Sequence, residues 1–107
     1  YPAAVVEAFS DLCRRRGVRL ILDATYRAFL PPGLNRPHGV LAQPDWREHV
    51  IQLYSFSKAF AVPGWRLGAV AADAAVLKEM EKVADCVQIC ATRAGQAALA
   101  WGIAAID

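Results

Sequence analysis

Two cations set in an apolar stretch are the first residues of this chain that suggest chemistry. Lys58 follows the run HVIQLYSF, and Arg66 comes eight positions later in SFSKAFAVPGWRLG, residues 55–68. A lysine held at a strand end against an apolar wall is poorly solvated. That disfavours its ammonium form, as does a second cation nearby, and the freed lone pair is what a Schiff-base nucleophile needs. Arginine keeps its proton, so Arg66 is suited to gripping a phosphate with two nitrogens. Ser55 and Ser57 add hydroxyl donors for the same anion. Gly64 and Gly68 allow the backbone to bend and approach closely.

Asp23 and Tyr26 form a second group, in DATY at the end of the run VRLILD. In open α/β sheets, ligands bind beyond the carboxyl ends of the strands. If the strands ending at Asp23 and near Lys58 are parallel, both residues reach one edge of the sheet. Each residue taken alone has a plainer reading. A strand-end aspartate such as Asp23 commonly closes a turn. Tyr26 alone is a half-buried ring with a satisfied hydroxyl. Lysine is among the least buried residue types. A lone arginine is an ordinary surface cation. The joint order and spacing carry the argument.

The elements that must position these residues follow from pattern. Pro2 suits a first helical turn, and Val5, Phe9, Leu12 and Cys13 recur at helical spacing as its apolar stripe. Gly17 is placed to end that helix. VRLILD then reads as a buried strand. The segment from Tyr26 to about Asp45, with its prolines and glycines, reads as loop. HVIQLYSF is a second buried strand, SKAFAVPGW a loop, and RLGAVAA a third strand. Asp73 caps a helix through Val76, Leu77, Met80 and Val83, and Thr92 precedes a final Ala-rich helix. Helix, glycine and buried strand in succession predict an α/β fold with a mainly parallel sheet.

Composition narrows the partners. The chain has 107 residues and a net charge of +2, with no dense basic run beyond Arg14, Arg15 and Arg16 inside a helical pattern. Neither nucleic acid nor a membrane is an expected partner. Cys13, Cys86 and Cys90 are odd in number and read as buried thiols of a reducing compartment. His38 and His49 follow no ligand spacing, so no metal is expected.

The residues from Asp23 to Gly68 resemble the cofactor-binding core of the class I/II aminotransferases, fold-type I enzymes that use pyridoxal 5′-phosphate. The family pattern is Asp-x-x-Tyr after a buried strand, then Ser-x-Ser-Lys, then an arginine eight beyond the lysine and a glycine two further on. Asp23, Tyr26, Ser55, Ser57, Lys58, Arg66 and Gly68 match it in order. The resemblance implies a PLP-dependent transferase-like large domain, a three-layer α/β sandwich of which residues 1–107 are one central to C-terminal part. It implies that Lys58 forms the Schiff base with pyridoxal phosphate and shuttles the substrate α-proton. It implies that Asp23 pairs with the pyridine nitrogen, Tyr26 donates to the ring's phenolate oxygen, and Ser55, Ser57 and Arg66 hold the phosphate.

The function so implied is transamination between an amino acid and a 2-oxo acid, by a cytoplasmic homodimer in the full-length protein. The same cofactor contacts serve lyases, decarboxylases and synthases of this fold, and substrate choice lies mostly elsewhere. The family's Asn-Pro segment, glycine-rich phosphate loop, ring-stacking aromatic and carboxylate-binding arginine have no counterpart in these residues. The piece is therefore expected to be inactive alone. A different class remains open: a non-catalytic α/β module whose Lys58 and Arg66 bind an anion without covalent chemistry.

Overall fold

A computed structural model describes residues 1–106 of the chain. Helix α1 (Ala3–Arg16) opens after Pro2, whose φ of −58° already suits a first turn. It closes at Gly17, where φ is +63° and the N–H bonds to the Arg14 carbonyl at 3.2 Å. Arg14, Arg15 and Arg16 sit in the last turn, where cations suit the carbonyl end of the helix.

The expected apolar stripe of α1 faces the wrong way. Val5, Phe9 and Leu12 are exposed, whereas Val6 packs on the core and Ser10 is fully buried. Two polar contacts fix this orientation. Glu7 Oε1 accepts from the Gly39 N–H at 2.7 Å, and Ser10 Oγ lies 2.9 Å from His49 Nε2. A polar group buried without a partner costs about 1–3 kcal/mol. Pairing Ser10 with His49 Nε2 therefore helps to set which side of α1 turns inward, although the buried His49 Nδ1 has no partner among the described residues.

Strand β1 (Leu20–Asp23) pairs in parallel with β2 (Val50–Ser55), which pairs antiparallel with β3 (Gly68–Ala71). The order is β1-β2-β3. The mainly parallel sheet expected for these residues is thus corrected: one of the two pairings is antiparallel. Connection length is the physical reason. The long irregular segment after Asp23 lets the chain return to the start of the sheet, which a parallel neighbour requires. The path from β2 to β3, residues 56–67, is at the lower limit for such a crossover, carries no helix long enough to make one, and doubles back instead. It runs through α3 (Phe56–Ala59) and a 3₁₀ turn at Pro63–Trp65, where the sequence suggests only loop. Another short helix, α2 (Trp46–His49), leads into β2.

The core sits on one face of the sheet. Val40, Trp46 and Val50 form its centre, with Val6, Leu22, Leu41 and Ala71 packed around them. The opposite face carries Ile21, Ile51, Leu53 and Val70, of which Ile21 and Val70 are exposed. The strands read as buried on both faces are therefore covered on one face only. This single helix-on-sheet arrangement is α/β, and the described residues do not build three complete layers.

Asp73 caps α4 (Ala74–Val87), its Oδ1 accepting from the Ala75 N–H at 2.8 Å. Helix α5 (Arg93–Ile106) follows Thr92. The cysteines are not the buried set expected: Cys13 is half-buried, and Cys86 and Cys90 are exposed. Helix α4 ends at Val87 and Ile89 turns left-handed with φ +63°, so Cys86 and Cys90 do not share a helix despite their spacing. No helix among the described residues is long and apolar enough to cross a membrane.

Candidate functional site

Strand register builds the site. Asp23 lies opposite Leu53, and the Ala24 N–H donates to the Leu53 carbonyl at 2.8 Å. Ser55 is two residues beyond Leu53, so side-chain alternation puts Asp23, Leu53 and Ser55 on one face. Ser55 in turn lies opposite Gly68, and the Phe56 N–H donates to the Leu67 carbonyl at 3.2 Å. These two contacts close the root of a loop. Lys58 and Arg66 both lie on that loop.

Gly68 is required at this root. A Cβ built there would stand 2.9 Å from the Tyr54 carbonyl oxygen, a rigid backbone atom. Within the loop, Ser55 Oγ accepts from the Ser57 N–H at 3.3 Å and so caps α3. Its hydroxyl proton stays available to an outside acceptor. Ser57 is half-buried, and its carbonyl accepts from the Val62 N–H at 3.2 Å.

Lys58 is exposed on α3. The apolar wall expected to strip its water is not supplied by the described residues. Arg66 is also exposed, and its backbone is unusual. Its φ of +52° and ψ of +47° put a bulky residue in the left-handed region, at a cost of roughly 1–2 kcal/mol. Such strain persists only where the surroundings fix it, and it concentrates at functional positions. The guanidinium leans back, with Nη1 donating to the Pro63 carbonyl at 2.9 Å. Neither Lys58 nor Arg66 forms an ion pair with a carboxylate among the described residues.

Asp23 is exposed and held by its neighbour. Its Oδ1 accepts from the Thr25 hydroxyl at 2.6 Å and from the Thr25 N–H at 3.0 Å. The hydroxyl first, and then the backbone donor, keep the carboxyl below the usual carboxylate range. Asp23 is therefore an anion at neutral pH, directed past the strand end. Tyr26 stands in the following turn, 63% exposed, with its ring tilted against Phe29 at 6.0 Å. Asp23, Ser55 and the lysine loop are brought together through the sheet. Among the described residues, Asp23, Tyr26, Lys58 and Arg66 form no hydrogen bonds with one another.

One contributor escapes a reading by motif. Thr25 lies inside DATY, where the Asp-x-Thr spacing is a known turn signal that could have marked it.

An exposed amine and a strained guanidinium stand on one rooted loop of a mixed α/β fold, and the neighbouring strand β1 ends in a carboxylate. Residues 1–106 match the model for aminotransferase class I and II, and the chain belongs to that family. It is 36% identical to aspartate aminotransferase of Sulfurisphaera tokodaii, over 85% of this chain and 22% of that protein. It is 33% identical to aspartate aminotransferase of Sulfolobus acidocaldarius, over 87% of this chain and 23% of the relative. Identity to LL-diaminopimelate aminotransferase of Nitratidesulfovibrio vulgaris is 27%, over 78% and 22%. The chain thus spans just over a fifth of the length of these relatives. No solved structure matches.

Proposed function

We propose that the polypeptide carrying this chain binds pyridoxal 5′-phosphate and transfers an amino group between an amino acid and a 2-oxo acid. In this reading, residues 1–107 are the lysine-bearing part of its cofactor domain, and the working unit is a homodimer. The observation that carries the reading is the rooted loop. It carries both Lys58 and Arg66, unpaired with carboxylates among the described residues, at the end of the strand that pairs with the one Asp23 closes.

The donor set fits the cofactor's four polar groups: ring nitrogen, phosphate, ring oxygen and aldehyde. The Asp23 carboxylate suits a protonated ring nitrogen, and the two Thr25 donors favour its charged form. The Ser55 hydroxyl proton, the Ser57 hydroxyl and the Arg66 guanidinium suit a phosphate. The Tyr26 hydroxyl suits the ring oxygen. The Lys58 amine suits the aldehyde, joining it with loss of water. When bound, the cofactor supplies an electron sink for the carbanion at the substrate α-carbon. Released again when the substrate amine takes its place, the Lys58 amine would be the base that accepts the α-proton and the acid that gives it back. Asp23 keeps the ring nitrogen charged, and Arg66 and the serines fix the orientation of the ring's phosphate arm.

Relatives whose names specify aspartate and LL-diaminopimelate share this window, so the amino acid taken here is not set by these residues. Lyase, decarboxylase or synthase chemistry on the same cradle is tested by product analysis. The exposure of Lys58 favours a second reading, in which the loop binds an anion with no covalent step.

The test uses the full-length polypeptide. Mixed with pyridoxal 5′-phosphate, it is expected to show a coloured adduct that borohydride reduces onto Lys58, located by peptide mass. Lys58→Ala is expected to lose the adduct. A wild type that binds the cofactor without a reducible adduct establishes the anion-binding reading instead.

A further inference from the structure

Arg66 cannot hold its place alone. It is strained, exposed and tied by a single side-chain hydrogen bond. What lies behind it is Leu67, which is buried and whose carbonyl closes the loop root at Phe56. Helix α5 lies behind Leu67. Two cavities, of about 410 and about 170 Å³, separate this helix from the loop. Leu67 and Leu99 line both. Between loosely packed surfaces, the points of close approach set the spacing.

Gly95 is such a point. It is buried on the first turn of α5, and a Cβ built on it would stand 3.3 Å from Leu67 Cδ2 and 3.3 Å from Trp65 Cε3. The same Cβ would stand 2.8 Å from Thr92 Oγ1. Leu67 and Trp65 are the two chain neighbours of Arg66. Gly95 carries an ordinary helical backbone, with no positive φ. Closeness, and not backbone freedom, is therefore what the missing side chain provides. Glycine is a poorer helix former than alanine, so its presence here needs the close fit as its reason.

We infer that Gly95 is a positioning residue for the anion grip: its bare Cα seats Trp65 and Leu67, and so aims the Arg66 guanidinium between them. This deepens the function proposed above and rests on Arg66 holding the cofactor's phosphate. A methyl at residue 95 meets Thr92 Oγ1 first, at 2.8 Å, and crowds the side chains of both neighbours of Arg66 at 3.3 Å.

The test compares two probes on the full-length polypeptide: pyridoxal 5′-phosphate and pyridoxal, which lacks the phosphate. Gly95→Ala is expected to weaken binding of the phosphate form about tenfold, in line with the steep cost of small misplacements. Its affinity for pyridoxal is expected to be unchanged. In an Arg66→Ala background, Gly95→Ala is expected to make no difference to either probe. Circular dichroism checks the fold. Should Gly95→Ala not fold, Leu67→Ile moves the same contact without touching α5, and the same split is expected. Equal losses for both probes, or no loss for either, overturn the inference and leave the phosphate reading standing. A wild type that does not prefer the phosphate form overturns the phosphate reading, and the inference with it.

Discussion

Thr25 controls the charge of Asp23 through two donors on one carboxylate oxygen. Removing the hydroxyl while keeping the shape, as in Thr25→Val, is expected to raise the Asp23 pKa toward the ordinary carboxylate range. A titration of the Asp23 carboxyl carbon by NMR measures this directly. The sign follows from linkage: a carboxyl held low in the folded state contributes stability above the ordinary range and loses it as pH falls through the lowered value. Acid sensitivity should therefore diminish in the variant. Arg66 offers a separate handle, because its side chain and backbone can be tested apart. Arg66→Gly relieves the left-handed strain and is expected to hold or raise stability by about 1 kcal/mol in denaturant melts. Arg66→Ala keeps the strain. Both are expected to weaken cofactor binding, by about 2–4 kcal/mol if the guanidinium makes a desolvated two-nitrogen contact with phosphate. A calorimetric titration that finds equal affinity for wild type and both variants would remove Arg66 from the site.

At the scale of elements, the sheet edge between β2 and β3 is the most constrained joint. Gly68→Ala places a methyl against the Tyr54 carbonyl, and is expected to destabilise the fold by about 1–3 kcal/mol, as overpacking does. Chemical denaturation with an unchanged slope would register it as a loss of stability. The irregular segment before α2 should respond to acid. Burial holds His38 below its ordinary range, with Glu7 pulling the other way and Arg27 adding to the depression. A base whose folded-state pKa is lowered stabilises the fold above its ordinary value and ceases to do so as pH falls. Thermal melts at falling pH should show this loss, and His38→Asn should flatten it. The same segment shows what pattern can and cannot reveal. Gly17, Asp73 and the three strands were legible because caps and apolar runs are local signals. The orientation of α1 was not, because Ser10 and His49 find each other across the fold. The antiparallel return of β3 was not, because two short helical turns shorten a path that reads as loop. For the site, the order of Asp23, Tyr26, Ser55, Ser57, Lys58 and Arg66 was legible, whereas the support from Thr25 and Gly95 depends on contacts.

The whole molecule presents apolar surface that the sequence pattern assigns to an interior. Ile21 and Val70 on the open sheet face, Phe9 and Leu12 on α1, and Val83 and Val87 on α4 are all exposed. Patches of this kind mark interfaces or aggregation sites. The 107-residue chain is accordingly expected to self-associate with rising concentration. Sedimentation velocity would detect this, and Ile21→Lys should reduce the effect if the sheet face takes part. A monomer at all concentrations would show instead that these residues are tolerated singly on the surface.

The rooted loop has a consequence for motion. Lys58 and Arg66 hang from one hinge, closed by the Phe56 amide on the Leu67 carbonyl and by Ser55 beside Gly68. When that hinge breathes, the amine and the guanidinium travel together, so they lose and regain their places as a pair. Hydrogen exchange at the Phe56 amide therefore clocks the lifetime of the whole cation pair, a single rate read at a residue that carries no charge.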